Sequence, residues 1–331
     1  MTSPPLDTSQ ASSCLASVTK PTLKLGCNAP LSGTAHKVVM TSEITSSPIR
    51  KKSPGPDASP STVIIEPTRG WAALGLRDVW EYRELLYFLI WREVKGRYRQ
   101  TALGPLWIVL QPLASMVIFS LIFGQLARLP SEGMPYPIFT YVALLPWQFF
   151  AIGARQSAGS LLQQQSVITK VYFPRLVVPI SSVLSALVDF LASFAVLIGM
   201  ILFYRVRLTW EILTLPLFLL LAATMALGVG LWLAGLAVKF RDVAIALGFG
   251  ITAWQYLTPV AYSATLIPER WRLLYRLNPV TSVIEGFRWA VLGTGQPPDW
   301  ITLVNAGTAL LLLVTGAFYF RRTERTIVDV I

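Results

Sequence analysis

From about residue 106 onward the chain is a succession of long apolar runs separated by short polar breaks. A helix needs roughly 20 apolar residues to cross the hydrocarbon layer of a bilayer. Six runs reach or approach that length, at about 106–126, 136–152, 176–203, 213–238, 243–260 and 301–320. The first is broken mildly at Gln111-Pro112, the second is rich in aromatics, and the third holds Asp189. The fourth carries Gly228 and Gly230, small residues that let helices approach closely. The fifth opens a stretch, Asp242 to Gly295, that is apolar yet cut by Thr258-Pro259, Ile267-Pro268-Glu269-Arg270 and Asn278-Pro279. Lipid cannot satisfy exposed backbone, so such breaks survive only inside protein or beside a water-filled cavity, and interrupted segments point to a transport path. One spanning helix followed by a surface loop fits the same residues, and the pattern leaves both readings open.

Ahead of the first span, residues 78–101 place Val79, Tyr82, Leu86, Leu89 and Ile90 at helical spacing among Arg83, Glu84, Arg92, Glu93 and Lys95. The segment is too charged to span. With Trp80 and Trp91 as anchors and a basic end, it predicts a helix lying in the membrane surface. Residues 1–65 are rich in Ser, Thr and Pro, with a basic cluster at Arg50, Lys51 and Lys52. Such a composition buries too little to offset its ordering entropy and predicts a disordered cytoplasmic tail. It holds no apolar core of signal-peptide type, so no cleaved secretion signal is expected.

Composition sharpens the class. Of 331 residues 53% are apolar and only 14% charged, against about 25% charged in soluble domains; this is an integral membrane protein. The net charge of +11 comes from basic residues beside the spans, which fits cytoplasmic loops near anionic lipid rather than nucleic acid. Counting Lys and Arg in the short connections puts fifteen on the side of residues 66–105, the second-to-third and fourth-to-fifth loops and the C-terminus, against seven on the other. Both termini are therefore expected in the cytoplasm, with the broken stretch on the outer side.

Few residues offer chemistry. Cys14, Cys27 and the single histidine, His36, all lie in the N-terminal segment, so no disulfide framework, metal site or histidine-based catalytic site is available in the spans. No Walker A sequence occurs, and this chain is not expected to hydrolyse ATP. Asp189 is an acid inside an apolar run, a default functional candidate. With no basic partner in the spans and no chain of acids or histidines, it suits a bond to a neighbouring helix better than a proton relay. Glu285 and Arg288, three apart, share a helix face and suit an ion pair, or contact with charged groups of a substrate. The connection from Ser160 to Pro179 begins as a polar, helix-compatible run and ends in Lys170, Tyr172, Phe173, Pro174 and Arg175. A short surface helix with an aromatic tip suits docking in a groove of a soluble partner; a plain positive-inside loop fits the same composition.

Five stretches, in order, carry a resemblance. They are YRELLYFLIWREVKGRYRQTALGPLWIVLQP (Tyr82 to Pro112), VITKVYFPRLVVP (Val167 to Pro179), KFRDV (Lys239 to Val243), TPVAYS (Thr258 to Ser263) and LNPVTSVIEGFRWAVLG (Leu277 to Gly293). Together they resemble the membrane subunits of ABC-2 type exporters, in the branch that moves O-antigen, capsule or teichoic-acid polymers. The chain departs from the family before Val167, where Gln-Gln-Gln-Ser stands in place of the usual Asn.

The resemblance implies an all-α integral membrane protein with six spans per protomer in residues 66–331, pairing as a homodimer in a bacterial inner or plasma membrane. It implies two copies of a separate ATPase, which binds the ATP and Mg, so that this chain holds no cofactor and is not itself an enzyme. Residues 160–175 resemble the coupling helix, with Ser166, Lys170, Tyr172, Phe173, Pro174 and Arg175 facing the ATPase. Residues 78–101 resemble the interface helix, with Tyr82, Arg83, Arg92, Lys95, Arg97 and Tyr98. Residues 261–295 resemble re-entrant helices between spans five and six, an outer gate formed with Pro259, Tyr262, Pro268, Asn278, Pro279, Glu285 and Arg288. The cargo implied is a lipid-linked polysaccharide. Sugars present apolar faces and hydroxyls, which amphipathic aromatics match. Tyr141, Trp147, Phe149, Phe150, Trp254 and Tyr256 are thus conduit candidates, although Trp and Tyr also gather at membrane interfaces. The alternatives are a drug or small lipid as cargo, or a membrane glycosyl- or acyltransferase, which would need a catalytic His or paired acids. An ion-coupled transporter would need more than Asp189.

Overall fold

A computed structural model describes residues 80–99, 103–164, 173–240 and 242–330. All of them belong to one compact unit, Glu66–Ile331. The tail expected over 1–65, and Ser166, Lys170 and Tyr172 of the expected coupling helix, lie outside the described residues.

Every regular element among the described residues is helical. In chain order these are α1 (Arg83–Tyr98), α2 (Leu106–Phe119, continued as a π-helical turn Ser120–Leu126), α3 (Tyr136–Gln163), α4 (Val177–Tyr204), α5 (Leu215–Lys239, entered through a 3-10 turn Trp210–Thr214) and α6 (Val243–Tyr256). After a 3-10 turn Ala264–Leu266 come α7 (Glu269–Arg276), α8 (Pro279–Leu292) and α9 (Trp300–Val330).

Among the described residues, five helical stretches are long and apolar enough to cross a membrane: Leu106–Leu126, Tyr136–Gln163, Val177–Tyr204, Trp210–Lys239 and Trp300–Thr323. Four begin within three residues of the expected spans and end within three; the second outruns its expectation, continuing from 152 to Gln163. The start of the expected coupling loop, Ser160, is therefore the last part of a transmembrane-length helix. Pro112 and Pro146 sit inside α2 and α3 without ending them. The winding of the first span changes instead at Ser120.

The expected fifth span is shorter than read. Helix α6 has 14 residues, about 21 Å at 1.5 Å per residue, against the ~30 Å of a hydrocarbon layer. It stops because Thr258 precedes proline, which disfavours helical backbone there. The Thr258 hydroxyl turns back to the Trp254 carbonyl at 2.8 Å.

Helix α3 is the axis of the unit, packing most extensively against α5 and α4 and also against α8 and α2. Its aromatics explain this: Tyr141, Trp147, Phe149 and Phe150 are all buried in one core with Phe190, Phe218 and Phe287. The Tyr141 hydroxyl donates to the Ser193 carbonyl of α4 at 3.0 Å, so its polar end is satisfied inside. Glycines set the closest approaches. A Cβ on Gly228 would lie 2.9 Å from the backbone nitrogen of Leu313 in α9, and one on Gly230 2.3 Å from the Ser157 hydroxyl of α3.

Candidate functional site

Two polar constellations interrupt this apolar bundle. The first is a seam where α1 runs beside the first half of α4, in the same direction. Leu89 is buried against Phe173, Val177 and Val178, with Leu85 and Leu86 beside them. One turn on, Ser182 donates to Glu93 at 3.3 Å. Another turn on, Arg97 donates to Ser185 at 2.9 Å, to Gln156 of α3 at 3.1 Å, and to the Asp189 carboxylate in an ion pair. Burial pushes the Glu93 carboxyl above its ordinary range, while Arg97 and the seryl hydroxyls pull it back.

This seam answers the question Asp189 posed. Its partner is a base 92 positions away on α1, so it bonds a neighbouring helix, as expected, but through a cation supplied from outside the spans. Gln156 and Ser185, which complete the network, gave no sequence signal beyond being polar in apolar surroundings.

The seam also revises two expectations. The Leu86–Leu89 side of α1 does not face outward but packs on α4, while Trp80, Tyr87, Phe88 and Trp91 are exposed on the opposite side. Helix α1 thus carries two apolar faces, one against protein and one aromatic and open. Of its other named residues, Tyr82, Arg83 and Lys95 are exposed, Arg92 and Arg97 half-buried, and only the backbone of Tyr98 is described. Phe173, expected at an exposed docking tip, is 4% exposed and belongs to the seam; its neighbours Pro174 and Arg175 are half-buried.

Beyond the ion pair, α1, α2, α3 and α4 leave a cavity of about 260 Å³. Arg97 and Asp189 form part of its wall, with Trp107, Gln111, Gln148, Phe149, Phe190 and Ser193 around them.

The second constellation gathers the broken stretch. Arg288 of α8 is fully buried. It donates to the carbonyls of Val260 at 3.0 Å and Tyr262 at 3.1 Å, pairs with Glu285 at 3.3 Å, and lies 3.8 Å above the Phe139 ring of α3. Asn278 caps α8 by accepting from the Val280 N–H, accepts from the Trp254 indole and donates to Thr258. Tyr275 donates to the Tyr262 hydroxyl at 2.8 Å, and Tyr262 to the Tyr256 carbonyl at 2.9 Å. Four of the seven expected gate residues, all but Pro259, Pro268 and Pro279, therefore hold one hydrogen-bonded belt, and Pro279 is the buried first residue of α8. Pro259 is buried beside it and Pro268, at the start of α7, is exposed. Arg288 is fully buried, and its guanidinium is taken up by Glu285 and two backbone carbonyls, which is the geometry of an internal tie.

Residues unread in the sequence complete the belt. Glu132, in a turn at φ +54°, accepts from the Gly295 N–H at 2.9 Å and from the Ser263 hydroxyl. Tyr136 donates to the Ala261 carbonyl. A lone acid in a Pro-Ser-Glu-Gly loop gives no hint that its partners lie more than a hundred residues on.

The conduit candidates divide. Tyr141, Trp147 and Phe150 are core, and fully packed side chains line no open path. Phe149 is also buried but borders the 260 Å³ cavity. Trp254 walls an open groove of about 570 Å³ with Trp271, Leu274 and Tyr275, and Tyr256 is exposed. The described residues contain no cluster of three or more His, Cys, Asp or Glu that could hold a metal ion.

Comparison with known proteins places this architecture. Residues 84–292 match the family model described as ABC-2 type transporter. The chain is 31% identical over 255 residues to the O-antigen export system permease protein RfbA of Myxococcus xanthus, covering 75% of this chain and 96% of that protein. It is 28% identical over 250 residues to the protein of the same name from Klebsiella pneumoniae, covering 75% and 95%. With the polysialic acid transport protein KpsM of Escherichia coli it shares 26% over 252 residues, covering 71% and 92%. Helices of membrane-crossing length, a polar belt tying the broken stretch together and a match over most of the chain converge: this protein belongs to the ABC-2 type transporter family.

Proposed function

We propose that the chain is the membrane-spanning permease subunit of an ATP-driven ABC exporter that moves a lipid-linked polysaccharide out of the cytoplasm. The observation that carries this is the match of nearly the whole length of O-antigen export permeases. It is supported by the match to a polysialic acid transport protein. The chain itself performs no ATP chemistry. Two copies of a separate ABC ATPase would bind ATP and Mg and drive two copies of the permease.

The topology belongs to this reading. Helix α6, though short, together with the turns after it serves as the fifth of six crossings, and α7 and α8 serve as re-entrant helices before the sixth. The excess of Lys and Arg on one set of connections puts both termini and residues 160–175 on the cytoplasmic side of an inner or plasma membrane. The ATPase would then meet the segment between α3 and α4 and the exposed face of α1.

The test is genetic and biochemical together. Deleting the gene should abolish surface polysaccharide and leave the lipid-linked polymer inside the cell. The permease should co-purify with an ATPase in equal copies. Unchanged surface polymer in the deletion strain would refute the cargo, and a permease that purifies without an ATPase would refute the mechanism.

A further inference from the structure

The cavity between α1, α2, α3 and α4 has features that neither packing nor the ion pair requires. Buried apolar helices normally close on one another at crystal-like density; here about 260 Å³ stays open. Its walls are of two kinds. Trp107, Phe149 and Phe190 present aromatic surface, while Gln111, Gln148 and Ser193 present an amide or a hydroxyl. Phe149, Phe190 and Ser193 are fixed in the core, whereas Trp107 and Gln111 are exposed and mark the open side, on α2.

Size, surface and charge each restrict the occupant. The volume falls below the roughly 300–1,000 Å³ of sites for drug-sized ligands, which suits one ring rather than several. Aromatic faces against apolar ring hydrogens, with amides and a hydroxyl at the edges, are the complement of a pyranose. Among the described residues, the ionised groups on the wall are Arg97 and Asp189, and they pair with each other. An anionic guest would have to compete with a carboxylate in place, and a cationic guest with a guanidinium. An unpaired charge inside an apolar bundle is costly, so the wall favours a neutral guest.

We propose that this cavity is a saccharide subsite that seats one uncharged sugar ring of the exported chain. The proposal rests on the polysaccharide reading above and adds to it a place and a chemical class. It also makes the Arg97–Asp189 pair part of the wall of a binding site, so that displacement of α1 along α4 would reshape the site.

The test uses the full permease with its ATPase in the native cell, with polymer labelled by a radioactive hexose. Trp107→p-benzoylphenylalanine places a photocrosslinker at the mouth, and Ile118→p-benzoylphenylalanine, exposed on the same face of α2 three turns farther along and not part of the cavity wall, serves as the comparison. Irradiation should attach labelled polymer at position 107. Filling the cavity from the back by Ala186→Leu should reduce that attachment and surface export at least five-fold. Gln148→Leu, which removes an amide at similar size, should do likewise and stands in if the first variant does not accumulate in the membrane. Attachment at 118 but not at 107, or wild-type export from both variants, overturns the subsite while the export reading stands. A phospholipid adduct at 107 in place of polymer overturns the subsite as well. If deleting the gene leaves surface polymer intact, the export reading falls and the subsite with it.

Discussion

Replacing Arg288 by Met tests whether the belt around the broken stretch is held by one buried cation. Methionine keeps much of the apolar stem but removes the guanidinium, whose side chain is 0% exposed. The Glu285 carboxylate, 10% exposed, would lose its ion-pair partner, and the carbonyls of Val260 and Tyr262 would lose their donors. Removing one member of a buried pair costs about 3–5 kcal/mol, and the freed carbonyls add to this only as far as water fails to reach them. Arg288→Met is therefore expected to lose about 3–5 kcal/mol. The double variant Glu285→Gln/Arg288→Met carries no lone charge and should recover about half, leaving about 2 kcal/mol for the lost carbonyl bonds and the contact with the Phe139 ring. Unfolding in mixed detergent micelles reads the totals. Amide hydrogen exchange at residues 257–266 reads the local effect, since this segment should open first. Arg288→Met within about 1 kcal/mol of wild type, the usual range for a minor substitution, would refute the reasoning. So would a double variant less stable than the single one.

Other perturbations probe the remaining joints. Asp189→Asn removes the nearer carboxylate beside Arg97 and leaves Glu93 at 4.0 Å; because Arg97 keeps that partner and is 24% exposed, the loss should sit at or below the lower end of the roughly 3–5 kcal/mol range, and Arg97→Gln/Asp189→Asn should recover part of it in the same unfolding assay. Phe173→Ala should cost about 3–5 kcal/mol as a core truncation and should raise exchange along α1, whereas an exposed docking residue would leave both unchanged. Gly228→Ala forces α5 and α9 apart at backbone contact and should cost about 1–3 kcal/mol, read as a lower thermal midpoint in detergent. At Asp299, partial burial raises the carboxyl, but Arg276 and the N–H groups of Thr302 and Ile301 outweigh it and hold it below its ordinary value near 3.8. Its folded-state pKa is thus depressed, so its stabilisation is complete above that ordinary value and is lost as pH falls through the lower one. Wild type and Asp299→Asn should differ in thermal midpoint at pH 7, and the gap should shrink as the pH is taken below 3.8; a constant gap would refute the link.

Legibility followed the range of the interaction. The apolar runs of α2, α4, α5 and α9 were readable almost to the residue, because crossing a membrane demands a local length of helix. Gly228 and Gly230 were readable as close approaches because small residues have few other uses there. The aromatics of α3 were not: core, interface belt and conduit lining draw on the same residue types, and only packing separated buried Trp147 from open Tyr256. The length of α6 was misread because Pro259 alone marks its end, whereas the helix had already stopped at Tyr256.

By itself the sequence determined that this chain is helical, crosses a membrane several times and has an interrupted stretch near its end. Each of those follows from composition, run length or residues adjacent in the chain. Tertiary structure alone decided that Asp189 meets Arg97 across 92 positions, that Glu132 meets Gly295 across 163, and that Phe173 turns inward. The reason is physical: a buried charge must find its partner wherever the fold brings one, and nothing in the local spacing of residues records where that is.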